Sequence, residues 1–148
     1  MPRPRYETAE DRQAQTDIAT VLALLWHMDP ILQRGDRHWD YVMMWGSSPR
    51  YRVEIKDRSR DTNGKTPYHG YKKLMISSQK WDGLIAVDSD EVRSVVVVRW
   101  PDRSLWGIRV DGSDEFERKS DTGRFDRGDA FDIEVNVFIP MTEMTRLV

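Results

Sequence analysis

Apolar residues early in the chain recur first at a helical period and then at a strand period. Within residues 7–27, Ala14, Ile18, Val21, Leu22 and Leu25 fall on one helical face, and acids crowd the first turns, where the helix dipole favours them. This helix is expected to stop before Pro30, because the residue ahead of a proline avoids helical geometry. A short strand in "PILQR" is closed by "GDR". The period then becomes two. "HWDYVMMW" and "RYRVEIKD" flank the turn signal "GSSP", with Tyr51, Val53 and Ile55 alternating with Arg52, Glu54 and Lys56. These segments predict a hairpin, with Asp40 near the start of its first strand and Glu54 late in its second.

"DRSRDTNGKTP" has no periodicity and reads as a loop. From His69 to Val87, Leu74, Ser77, Trp81, Leu84 and Asp88 fit one helical face, predicting a second helix; a competing reading ends it at "WDG" and makes "LIAV" a strand. "VRSVVVVRW" is a near-continuous β-branched run of the kind buried on both faces. "PDRS" turns into a partner strand, "LWGIRV". Residues 111–129 read as a charged loop, "AFDIEVNVFI" as a strand, and "PMTEMTRL" as a short closing helix begun at Pro140. The order predicts an α/β (α+β) domain over residues 1–148: a mixed central sheet flanked by helices, αβββαβ plus C-terminal strands.

Composition narrows the chemistry. The 148 residues suffice for one core, and the absence of cysteine excludes disulfides, thiolate metal sites and cysteine nucleophiles. With three histidines, Cys/His zinc is excluded too. "VLALLW" is too short to span a membrane and "MPRPRYETAE" carries no apolar signal region, so the expectation is a soluble cytoplasmic protein with no membrane partner. The six tryptophans read as strand or helix residues facing the core, and the three histidines as surface or capping residues.

The net charge of −2 is unlike that of a protein that coats nucleic acid, but it is unevenly spread. Residues 56–73 hold six cations against two acids, whereas residues 111–134 hold nine acids against four cations. Solvated loops are the plain account of such runs, yet the basic one follows directly on the Glu54-x-Lys56 strand. Asp40 and Glu54 can meet across the hairpin ladder. Two facing carboxylates destabilise a strand pair unless positive charge sits between them. Magnesium or manganese, with hard oxygen ligands, would supply it. Lys56, one pleat beyond Glu54, could then orient or help deprotonate an attacking water and offset phosphate charge. The plain alternative is a same-face ion pair between Glu54 and Lys56, worth little at a surface.

In the order "RYETAED", "DYVMMW", "VEIK", "MISSQKWDGL", "VVVVRWPD" and "DRGDAFDIEVNVFIP", the chain resembles small phage-type proteins of the PD-(D/E)XK nuclease superfamily. The resemblance spans nearly the whole chain and implies a restriction-endonuclease-like core, cleavage of DNA and a Mg²⁺ or Mn²⁺ cofactor. It implies metal ligation by Asp40, Glu54 and the main-chain carbonyl of Ile55, and makes Lys56 the signature lysine. Trp39 stands where the motif's proline would be, leaving Asp36, in the turn, as the alternative aspartate. The early helix of such nucleases often lends a glutamate, Glu10 in preference to Glu7. Lys80, with Gln79 as its rival, matches a further catalytic position. Arg58, Arg60, Lys65, Lys72 and Lys73 would contact nucleic acid. The superfamily often works as dimers, so a homodimer is open. A second reading keeps the fold without catalysis, as a phage accessory or anti-defence factor that binds nucleic acid or a host protein.

Overall fold

Helix α1 spans Ala9–Trp26 and buries Ala14, Ile18, Ala19 and Leu22; of the expected stripe Val21 and Leu25 are exposed instead, because the buried face turns toward Ala19. It ends ahead of Pro30 in a Schellman cap. His27 takes a left-handed φ of 54°, and the Met28 N–H donates to the Ala23 carbonyl at 3.1 Å, satisfying a group the helix end would orphan. Histidine is among the side chains that tolerate this region best. A capping role for His27 is therefore realised through its backbone.

The computed structural model describes residues 9–33, 39–59, 72–120 and 135–148. Glu7, Asp36, His38, Arg60, Lys65, His69, Phe131 and Ile133 lie outside the described residues, as do residues 121–134 of the acidic segment. Strands β1 (Asp29–Leu32), β2 (Tyr41–Trp45) and β3 (Ser48–Asp57) form an antiparallel meander. The β2–β3 hairpin turns at Gly46, whose φ of 59° at the first of two loop positions is what a type II′ turn requires. Trp45, beside this tip, is 61% exposed, so it departs from the expectation of an inward tryptophan. Trp81, Trp100 and Trp106 meet it.

After β3 the chain forms β4 (Lys73–Ser77), helix α2 (Ser78–Val87), β5 (Arg93–Arg99) and β6 (Leu105–Arg109), then β7 (Glu117–Ser120), β8 (Val135–Pro140) and β9 (Thr145–Arg146). β5 runs parallel to β3, and its residues Ser94 to Val98 are all buried, as a strand covered on both faces demands. One sheet has the order β1-β2-β3-β5-β6-β9 and mixes parallel and antiparallel pairs. A second has the order β4-β8-β7. Among the described residues no helix is long and apolar enough to cross a membrane.

Four expectations need correction. The second helix begins at Ser78, not near His69, because buried Leu74 and Ile76 alternate with exposed Lys73 and Met75 and follow a strand period. "LIAV" stays in that helix. Residues 117–120, expected as loop, form β7; all four are exposed, so no apolar alternation marks the strand. The closing helix is one 3-10 turn, Met141–Glu143, after which the chain pairs as β9 with β6. The strands thus make two sheets instead of one.

Each face of the larger sheet is covered. Ile18, Ala19 and Leu22 of α1 pack on Tyr41, Met43, Val53, Ile55, Val95, Val97 and Leu105. On the other face, Val96 and Val98 meet Trp81 and Leu84 of α2, and Leu74, Ile76, Val137 and Ile139 of the second sheet. Glu54 and Lys56 alternate with Val53 and Ile55, so their side chains enter this second layer. Helix α2 is held there by its carboxyl end. The Arg52 Nη1 donates to the Val87 carbonyl at 2.8 Å and the Val92 carbonyl at 3.4 Å, while the Ser94 hydroxyl donates to the Leu84 carbonyl at 2.8 Å. A cation there also complements the helix dipole. Arg52→Ala is expected to lower the unfolding free energy by about 2 kcal/mol, the range for hydrogen bonds to a charged donor, in urea titrations. A loss below about 0.5 kcal/mol would show that α2 is held without it.

Candidate active site

Asp40 lies one residue before β2, at a bend. Its N–H donates to the Val53 carbonyl at 2.9 Å and its carbonyl accepts the Gln33 N–H at 2.9 Å. Val53 is also the register partner of Tyr41. Two residues therefore face one across the ladder, the geometry of a β-bulge, which re-aims a side chain. The Asp40 Oδ2 consequently accepts the Ile55 N–H at 2.7 Å. In extended backbone the N–H and C=O of one residue leave on the same edge, so the Ile55 carbonyl shares that edge with the Asp40 carboxylate.

Glu54 is 2% exposed, and two ammonium groups reach its carboxylate. The Lys80 Nζ lies 2.9 Å and the Lys56 Nζ 3.2 Å from the same Oε1. Lys56 stands two residues along β3; Lys80 comes from the first turn of α2. A carboxylate this buried needs such compensation, because desolvating an unpaired charge costs several kcal/mol. Gln79, the rival of Lys80, is exposed.

The charges in this cluster do not balance evenly. Burial first, and the Glu54 carboxylate next, push the Asp40 carboxyl up to about 7, against the Ile55 N–H and the two lysines. Burial likewise pushes Lys56 down; Glu54 opposes this, and the Lys80 ammonium adds to it. For Lys80 burial acts in the same direction but is outweighed by Glu54, so its ammonium is held above the usual lysine range. The two lysines part because Lys56 is 19% exposed and Lys80 40%, so water relieves more of the second charge.

The structure thus brings Asp40, Glu54, Lys56 and Lys80 together. Glu10 is set apart: α1 packs on the other face of the sheet, and Glu10 lines a cleft of about 290 Å³ with Gln13, Asp17, Ser59, Arg99 and Arg103. Of the basic residues, Arg58 follows β3 and donates its N–H to the Arg99 carbonyl at 2.7 Å. Lys72 and Lys73 are exposed at the start of β4, Lys73 lying 3.9 Å from Glu117. The strand period places Arg52 on the face of Glu54 and Lys56, but nothing in the sequence signals its bond to the Val87 carbonyl. The Asp57–Arg99 ion pair, at 3.2 Å between the ends of β3 and β5, was missed as well. Only the parallel register, in which Asp57 faces Arg99, reveals it.

Among the described residues no three histidine, aspartate or glutamate side chains gather at ligand spacing. The cluster offers two carboxylates and one carbonyl, an all-oxygen donor set suited to a hard cation that keeps several waters. The high pKa of Asp40 fits such a site, since it marks an edge short of positive charge.

A comparison with curated proteins returns no match. The family described as "Phage putative PDDEXK endonuclease" matches residues 1–147. The mixed sheet with a helix on each face agrees with the restriction-endonuclease-like core expected of that family. With its fold and nearly its whole length accounted for, the chain belongs to the phage PDDEXK endonuclease family.

Proposed function

We propose that the protein is a magnesium- or manganese-dependent endonuclease that hydrolyses phosphodiester bonds in DNA. The observation that carries this reading is the convergence of Asp40, Glu54, Lys56 and Lys80 around β3, where burial and the neighbouring Glu54 carboxylate push the Asp40 carboxyl up to about 7. Asp40, Glu54 and the Ile55 carbonyl would hold the cation. When bound, it supplies Lewis-acid polarisation of the phosphoryl group and eases deprotonation of a water.

The chain's own groups do the rest. Lys56 donates hydrogen bonds from the protein side, orienting the water and offsetting charge on the phosphate as the bond from water oxygen to phosphorus forms and the bond to the leaving oxygen breaks. Lys80 holds the Glu54 side chain in position through its 2.9 Å contact. Exposed Lys72 and Lys73, with Arg58, are suited to neighbouring phosphates, and the same role is proposed for Arg60 and Lys65. Glu10 has no part in this scheme, since it lies across the sheet.

With magnesium, the wild type is expected to cleave plasmid or branched DNA. Glu54→Ala and Lys56→Ala should each lower the rate by at least about 100-fold, as loss of a group aimed at transition-state charge does. Lys80→Ala should lower it less. Wild-type inactivity on every DNA form would favour the binding-only alternative, and cleavage by Glu54→Ala at the wild-type rate would overturn the assignment of the site.

A second expectation concerns the metal-free protein. Asp40 holds its proton more tightly folded than unfolded, so its contribution to stability is full below pH about 4 and is lost as the pH rises through about 7. The loss amounts to at most about 4 kcal/mol. In EDTA, the difference in stability between wild type and Asp40→Asn should therefore move against the wild type from pH 5 to pH 8. Magnesium should reverse that trend at pH 8. A pH-independent difference in urea melts would refute the linkage.

A further inference from the structure

Trp39 stands directly before Asp40, where a proline ring would have restricted the backbone. A tryptophan imposes no such limit, so the bend that aims the Asp40 carboxylate needs another restraint. The indole itself is well placed to supply it. Trp39 packs against the cluster that contains Trp81, Leu84, Val96 and Val98, on the α2 side of the larger sheet. The guanidinium carbon of Arg52 lies 5.3 Å from the centroid of its ring, within the range of a cation–π contact. The same guanidinium donates to the Val87 and Val92 carbonyls at the carboxyl end of α2.

We infer that Trp39 and Arg52 are positioning residues for the site: the stacked pair ties the bend before Asp40 to the end of α2 and so keeps the Asp40 carboxylate on the Ile55 edge. The inference rests on the reading of Asp40 as part of the active site. Two observations carry it. The first is the set of partners Arg52 has. Among the described residues they are two carbonyls and an aromatic ring, all neutral, so the guanidinium compensates no carboxylate. Its planar fork can donate at the rim while stacking through the face, which a lysine ammonium cannot do.

The second is where the tie falls. Glu54 and Lys56 sit within the ladder of β3 with β5, facing Val96 and Val98, and regular pairing fixes both. Asp40 comes before the first register pair of β2 with β3, Tyr41 with Val53. Its side chain reaches β3 through a single bond, the 2.7 Å contact from the Ile55 N–H to Oδ2. Asp40 is thus the member of the cluster that regular pairing holds least. Arg52 is the residue before Val53, so the strand segment that receives the Asp40 N–H also carries the guanidinium against Trp39. Rotation of the bend away from β3 would break the stacked contact.

Hydrogen exchange of the metal-free full chain tests the tie at the Ile55 amide, whose proton goes to Asp40. Trp39→Leu and Arg52→Lys should each speed that exchange at least about tenfold, as loss of one desolvated cation–aromatic contact does. The amides of Val95 to Val98 in β5 should change by less than about threefold, since the opening is local. Trp39→Phe, which keeps an aromatic face, should recover most of the protection. The combined substitution should be no worse than the harsher single one, because both break the same contact. In plasmid cleavage the two variants should lower kcat at least about tenfold with KM for DNA unchanged. Unchanged exchange at Ile55, or equal acceleration there and throughout β5, would overturn the proposal. A wild type that cleaves no DNA counts against the proposed reaction alone, and the exchange at Ile55 still decides whether the pair holds Asp40.

Discussion

The rest of the structure depends on the burial of one negative charge. Glu54 sits between the central sheet and the layer above it, where its carboxylate would be untenable alone. Two lysines make it tenable, and they come from elements that reach the same point by different routes. Lys56 is brought by the pleat of its own strand. Lys80 is brought by a helix that must lie along β3 with its first turn at Glu54. An ammonium in the first turn opposes the helix dipole, a small cost of a few tenths of a kcal/mol that contact with Glu54 offsets. Helix α2 is therefore fixed at both ends by the same strand face: Arg52 donates to its last carbonyl, that of Val87, and Glu54 accepts from its first-turn lysine.

Asp40 completes the arrangement by a different device. A regular ladder would keep its side chain on a sheet face. The doubled pairing of Asp40 and Tyr41 against Val53 tips the carboxylate onto the strand edge at Ile55 instead. The pair of acids is thus close without being directly opposed, and the raised pKa of Asp40 reflects its burial first and the Glu54 carboxylate second. Carboxyl groups shifted in this way cluster at functional sites.

What could be read from sequence follows from which interactions are local. The α1 stripe, the β2–β3 hairpin and the β-branched run of β5 all declare themselves by period, and the order of motifs led to the right family. Asp40, Glu54, Lys56 and Lys80 were all named from sequence and do meet. β4 was hidden because Leu74, Ser77, Trp81 and Leu84 happen to satisfy helical spacing across a strand–helix junction. β7 was hidden because its four residues are exposed and it is held by long-range contacts, its pairing with β8 and the two hydrogen bonds from Arg118 to Asp82 of α2. Long-range pairing also explains the Asp57–Arg99 contact and the return of the chain end to β6, where the Leu147 N–H donates to the Leu105 carbonyl at 2.7 Å. Glu10 was chosen by helical position; α1 packs on the sheet face opposite α2, and Glu10 lines a cleft there with Ser59, Arg99 and Arg103.

The parallel pairing of β3 with β5 has a consequence for the order in which the molecule comes together. Asp57 and Arg99 are 42 residues apart, and no tight turn can join two strands that run the same way. The hairpin holding Asp40 and Glu54 can close as soon as it leaves the ribosome, since its partners are neighbours in sequence. The pocket around Glu54 cannot. It needs α2 seated on β5, and that waits for a long loop to close. A growing chain would carry its paired acids in open water for much of its synthesis, and only a nearly finished one encloses them. The cluster is thus a late product of folding, present only where the surrounding sheet is already whole.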